Sequence, residues 1–129
     1  MKSLSQTVTK TNCEKKLEAL ALMKKNGGYS AKDYLNKPFS IKRWVMGHSV
    51  ITEEDEVTGE VREHEDDTIT FETTTEDVVG TNSASVIREF NELVTAIEED
   101  GLDLESVQFQ LVQGDSNNGR KFTTLELVF

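Results

Sequence analysis

Cationic and aromatic side chains interleave at three places in this 129-residue sequence: where Tyr29 and Tyr34 flank Lys32, in residues 37–44 and in residues 120–122. Bases stack on aromatic faces and phosphates pair with lysine and arginine, so this combination is typical of a surface that binds single-stranded nucleic acid. The candidate contacts are Lys37, Lys42, Arg43, Trp44, Arg120, Lys121 and Phe122. The alternative for Trp44 is a place in the core, because large aromatic residues are highly buried on average. Phe122 is the better candidate, since strand alternation places it opposite Leu125 and Leu127.

No group of residues in the sequence has the spacing of a catalytic or metal site. His48 and His64 are not at metal-ligand spacing with a cysteine, and the acidic runs lack the glycine and register of a calcium loop. Cys13 is the only cysteine, which excludes an intramolecular disulfide. We therefore expect a protein without enzymatic activity, cofactor or metal.

Charge is distributed unevenly along the chain. The net charge is −10, yet residues 1–48 carry ten basic and three acidic side chains, and the remainder carries four basic and 21 acidic ones. Four lysines of the basic part fall in a predicted helix and are candidates for additional phosphate contacts, namely Lys15, Lys16, Lys24 and Lys25. The acidic part supports a different interpretation, an acidic protein-interaction module that mimics nucleic acid and inhibits a DNA-binding enzyme.

Periodicity predicts the secondary structure. Alternating apolar residues flank a Gly-Asp-Ser-Asn-Asn-Gly turn, so residues 107–129 predict a β-hairpin whose core-facing residues include Phe109 and Phe129. Residues 39–51, 60–63 and 68–73 predict three further strands, and residues 76–82 a loop. A stripe at helical spacing predicts a helix after Asn82 or Ser83 that runs to Glu98. Residues 13–25 predict an N-terminal helix, and residues 1–11 a mobile tail.

The order of these elements predicts the fold class. Three strands, a helix and two strands is the order of the five-stranded OB barrel, which binds oligonucleotides. We predict a mainly β protein in which residues 37–129 form an OB-like domain, with a helix between its strands 3 and 4. Residues 1–36 form a tail and a basic helical extension. An α+β sandwich with the helix packed on an antiparallel sheet has the same order of elements and stays open as the alternative.

The C-terminal hairpin resembles the C-terminal end of the single-stranded DNA-binding proteins of small protein-primed phages of Gram-positive hosts. The matching positions are Val112, Gln113, Gly114, Ser116, Gly119, Phe122, Leu125 and Leu127, and a weaker resemblance continues upstream through residues 85–94 toward Asn36 and Pro38. The resemblance implies a protein that coats single-stranded DNA with little sequence preference during phage or mobile-element DNA replication or transfer.

Partners and location follow from the same considerations. Single-stranded DNA is the expected partner, and the basic extension could add phosphate contacts or serve self-association along the DNA. No run approaches the roughly 18 apolar residues of a membrane span, and nothing near the N terminus is typical of a secretory signal. We therefore expect a cytoplasmic protein without a membrane partner.

Overall fold

The protein is mainly β. The computed structural model describes residues 2–25, 29–115 and 121–128. Its strands are β1 Lys2–Thr11, β2 Tyr29–Ser30, β3 Ile41–Glu54, β4 Val61–Thr73, β5 Val78–Thr81, β6 Gln108–Asp115 and β7 Lys121–Val128. Its α-helices are α1 Lys16–Lys24 and α2 Ala84–Glu99, and short 3-10 helices cover Ala31–Tyr34 and Leu104–Ser106.

The strands form two sheets. The larger has the order β1-β3-β4-β5-β2, antiparallel except for the two-residue pairing of β2 with β5. The smaller is the predicted hairpin of β6 and β7. Phe39 joins them through two backbone hydrogen bonds with Phe109, of 2.7 and 2.8 Å. Over the described ranges these strands do not close into a barrel, so the mainly β class is confirmed without the predicted closure.

The main core lies between the larger sheet, α2 and the hairpin. Ser83 caps α2 by accepting a hydrogen bond from the Val86 N–H, as the sequence predicts. The helix buries four residues of its predicted stripe, Val86, Phe90, Val94 and Ile97. Phe109 is fully buried beside them, which confirms its core assignment. Phe129 lies outside the described residues.

Simple alternation along the strand predicted at residues 39–51 assigns Ile41 and Trp44 to opposite faces, and this assignment is wrong because the strand contains a bulge. The pairing with β4 shifts between Ile41 and Arg43, so Lys42 is an extra residue in β3. Ile41 and Trp44 consequently both belong to the core under α2, whereas Val45 packs with α1 on the opposite side of the sheet. The bulge therefore exchanges the faces that simple alternation assigns.

The predicted mobile tail is also wrong, because residues 2–11 form β1. This strand pairs with β3 from Lys2 opposite Glu53 to Thr11 opposite Val45. The side chain of Thr11 donates to the Trp44 carbonyl at 2.6 Å. An edge strand is held mainly by backbone hydrogen bonds, so it does not need the apolar period that the sequence lacks here. Within residues 2–25, β1 thus pairs with the larger sheet and α1 packs against it.

Two further boundaries differ from the predictions. The strands expected at residues 60–63 and 68–73 are one strand, β4, and the expected loop at residues 76–82 contains β5. The first half of β4 is exposed and acidic, so it shows no apolar alternation, yet its backbone pairs with β3 throughout. Among the described residues, no helix is both long and apolar enough to cross a membrane.

Candidate nucleic-acid interface

Phe122 lies on the surface of the hairpin directly opposite Gly114. Its side chain is 41% exposed. A Cβ atom added to Gly114 would lie 2.9 Å from Cζ of the ring and 3.3 Å from both Cε atoms, so the ring lies against the glycine backbone. Only glycine allows this approach. The ring is thereby supported from beneath while part of its surface stays open to solvent, which is the geometry that a stacked base requires.

The cross-strand contact gives a structural reason for two of the motif positions in the C-terminal hairpin, Gly114 and Phe122. Gly114 and Phe122 are eight positions apart, and hairpin pairing makes them neighbours. Lys121 precedes Phe122 in β7, where the structure describes its backbone, and Arg120 lies outside the described residues. Of the predicted cluster of Arg120, Lys121 and Phe122, only the aromatic side chain is thus among the described ones.

Trp44 requires a correction, because its indole belongs to the core. It is 1% exposed and meets Phe90 edge-to-face with ring centroids 5.2 Å apart. Its Nε1 has no hydrogen-bond partner among the described residues. An indole packed in this way presents no face to a base, so the predicted stacking role of Trp44 is wrong for this structure.

Arg43 is bound to two carboxylates and links α1 to the sheet. Its guanidinium donates to Glu72 at 3.0 and 3.1 Å and to Glu18 of α1 at 2.8 Å. The hydrogen bonds with Glu72 and then Glu18 raise the pKa of Arg43, and Arg43 lowers the pKa of the buried Glu72 in turn. Because two carboxylates already bind the guanidinium, it is not free for the phosphate contact that the sequence predicts. Arg43 therefore has a structural role here.

The remaining predicted cations are exposed. Lys37 and Lys42 lie before and within β3, and the four lysines of the N-terminal helix, Lys15, Lys16, Lys24 and Lys25, lie at α1 or its ends. None of these six has a carboxylate within 4.0 Å in the part of the chain that the structure describes. After the hydrogen bond with Arg43, the charges of Lys25 and Lys42 also contribute to lowering the pKa of Glu72.

The residues before β3 border the hairpin. The Asn36 N–H donates to the Leu111 carbonyl at 2.8 Å, on the edge of β6 that faces away from β7. Lys37 therefore stands beside the same hairpin that carries Phe122. In the preceding 3-10 helix, burial and a hydrogen bond with Asp77 raise the pKa of Tyr34 to about 12. Sequence reasoning missed this contact, since the two residues are 43 positions apart.

The acidic surface lies elsewhere, on the far part of the β3–β4 hairpin. Every residue from 53 to 67 is exposed, and nine of them are Asp or Glu. His48 hydrogen-bonds with Asp67 at 2.8 Å, and its Nε2 lies 3.9 Å from Glu65. The Asp67 bond is the main reason that the pKa of His48 is raised. Within the described ranges no cluster of His, Cys, Asp and Glu has the geometry to hold a metal ion.

Comparison of the chain with protein-family models, with curated proteins and with solved structures found no match. The fold and this surface define a mainly β protein with an exposed aromatic ring on its terminal hairpin. Beside the hairpin and at α1 it has exposed lysines that form no ion pair with another described residue. Its function is therefore inferred from this geometry.

Proposed function

We propose that the protein binds single-stranded DNA with little sequence preference and coats it during phage or mobile-element DNA replication or transfer. The observation that carries the proposal is Phe122, an exposed ring supported by Gly114 and preceded by Arg120 and Lys121. A ring held in this way stacks on any base, because every base has a π face. Binding of this kind needs no catalytic group.

The order of elements supports an OB-like arrangement. The consecutive strands β3, β4 and β5 are followed by α2 and then by the β6–β7 hairpin. The antiparallel contact of Phe39 with Phe109 brings the start of β3 beside β6. An OB domain uses the same succession, with an open or closed barrel and an oligonucleotide on one face. We treat the OB-like classification as part of the proposal.

Lys37 and Lys42 are exposed cations that we assign to the phosphates. Lys37 borders β6, and Lys42 is the exposed bulge residue of β3. The four exposed lysines at α1 would add further phosphate contacts, and self-association along the DNA would extend the cationic surface. α1 itself covers the face of β3 that carries Val45, so the proposed DNA path follows the hairpin and the lysines and avoids that face.

Titration of a fluorescein-labelled oligo(dT) by the protein at two salt concentrations tests this proposal. We expect saturable binding that weakens as salt rises, because each phosphate contact releases a counterion. A mixed-sequence oligonucleotide should bind similarly. Absence of binding below tens of micromolar at low salt would contradict the proposal.

The exposed acidic segment at residues 53–67 favours a second candidate, a protein-interaction module that mimics nucleic acid. Nine carboxylates with a single arginine among them present a dense negative surface to a basic partner. The same titration separates the two functions, since a mimic of this kind competes with DNA and does not bind it.

A further inference from the structure

A trough between α2 and β7 has a mainly apolar lining and a volume of about 610 Å³. Its apolar lining consists mainly of Leu93, Ala96, Ile97, Leu102, Val107 and Leu127. A shallower depression of about 420 Å³ continues it along β7 and shares Leu93 and Leu127 with it. We call this continuous surface the α2–β7 trough.

The C-terminal end of α2 forms one wall of the trough, and two backbone hydrogen bonds hold it in place. Gly101, with a φ of +67°, donates to the Glu98 carbonyl at 3.1 Å, and Leu102 donates to the Ile97 carbonyl at 3.0 Å. These two bonds form a Schellman motif, which ends the helix and brings the next apolar residue back toward it. Leu102 is 55% exposed at this position, so an apolar side chain stands open at the mouth of the trough.

At Leu127, the backbone edge of β7 that faces away from β6 is open beside the trough. Phe109 uses its N–H and C=O on Phe39, away from β7, so its partner Leu127 also directs both groups away from β6. The equivalent Leu125 N–H donates to the Glu89 carboxylate at 3.2 Å. Within the described residues no backbone group pairs with Leu127 on this edge. An extended segment could therefore add to β7 as a further strand.

Every described charged side chain that lines the trough is acidic. Asp100 and Glu105 border the deeper part, and Glu89 and Glu92 border the shallower part, where Glu126 contributes to the rim although its side chain alternates to the Phe122 face of β7. A segment that places lysine or arginine near these carboxylates and aliphatic side chains between Leu93, Ile97 and Leu102 would match both properties. In an extended segment, side chains alternate between two faces, which allows both contacts at once.

We propose that the α2–β7 trough binds an extended segment of a partner protein in which basic and aliphatic residues alternate, and that the segment pairs with the open edge of β7. This site is separate from Phe122, which alternation places on the other face of β7 from Leu125 and Leu127. The proposal therefore adds a protein-binding surface and does not depend on DNA binding.

The test uses the full-length protein and a fluorescein-labelled short peptide of alternating lysine and valine. We expect the peptide to bind the parent protein and to bind about tenfold or more weakly to Ala96→Phe, which fills the trough from an exposed helix position. The matched control is Ala84→Phe, at an exposed alanine near the start of the same helix, and it should bind as the parent does. Oligo(dT) affinity should not change in either variant.

Two further measurements keep the proposal falsifiable. Amide hydrogen exchange at Leu127 should slow when the peptide is added, and a peptide N-methylated at its pairing amides should bind at least about tenfold more weakly. Equal peptide affinity for the parent and Ala96→Phe would assign the binding to the acidic surface and overturn the proposal. Unchanged exchange at Leu127 would overturn it too, as would a parent protein that dimerises through the trough.

Discussion

At the scale of single residues, Phe122 and Gly114 depend on each other. The ring covers glycine backbone that would otherwise be exposed, and the absence of a Cβ at Gly114 leaves room for the ring. Such an aromatic–glycine pair also stabilises a hairpin without any ligand. In the proposed function the exposed part of Phe122 also stacks on a base, so affinity and stability must be measured separately.

Phe122→Ala is expected to cost roughly 1–3 kcal/mol of oligonucleotide affinity, the range for one stacked base. The free energy of unfolding should fall by only about 0.2–1 kcal/mol, the range for one cross-strand pair, because the side chain is already 41% exposed. Phe122→Tyr retains the ring and should keep the parental affinity. Val61→Ala is the matched control, since Val61 is a 60% exposed apolar residue on the acidic part of β4. A folded Phe122→Ala protein with parental affinity would remove this ring from the proposed interface.

At the scale of elements, α1 is held on the sheet by a small apolar cluster and by Arg43. The cluster consists of Ala19, Leu22, Met23 and Val45. Arg43 connects Glu18 of α1 with Glu72 of β4 across the same contact. The Glu72 side chain is only 8% exposed, so removal of its partner would leave a carboxylate with little access to water.

Arg43→Met is expected to lower the free energy of unfolding by about 1–3 kcal/mol at neutral pH, measured by urea denaturation. The variant that also carries Glu72→Leu should recover part of this stability, because the unpartnered carboxylate is gone. Arg43 lowers the folded-state pKa of Glu72, so its stabilising effect is present above the unfolded-state value of about 4.3 and is lost as pH falls through the lower folded-state pKa. Parent and Arg43→Met should therefore converge in acid, and a constant difference between them would contradict this role.

Sequence patterns identify the elements whose own side chains determine them. The stripe from Val86 to Ile97, its Ser83 cap and the alternation around Phe109 are local signals, and the structure contains the helix and hairpin that they predict. β1 and the first half of β4 lack such a signal, because backbone pairing holds them. Within the candidate interface, exposure of Phe122 follows from alternation. The burial of Trp44 follows from the β3 bulge, which no local pattern announces.

At the scale of the whole molecule, the exposed lysines and the densest acidic segment belong to different elements. The lysines lie at α1 and before β3, whereas the carboxylates lie in residues 53–67 and along the α2–β7 trough. A net charge of −10 repels a polyanion at long range, so DNA would have to approach the lysine surface. This separation of charge makes the lysines of α1 the part of the molecule where the salt dependence of binding can be tested.

Replacement of Lys15, Lys16, Lys24 and Lys25 by glutamine tests whether these lysines bind phosphates. All four are exposed, and glutamine has a helix propensity close to that of lysine, so α1 should remain folded. We expect weaker oligo(dT) binding and a shallower plot of log affinity against log salt, by about 0.7 for each phosphate that the variant no longer neutralises. The control makes the same replacement by glutamine at Arg62 and Arg88, which are exposed cations outside the proposed DNA path. It should leave the slope of log affinity against log salt unchanged. An unchanged slope in the four-lysine variant would limit the proposed DNA path to the hairpin and to Lys37 and Lys42.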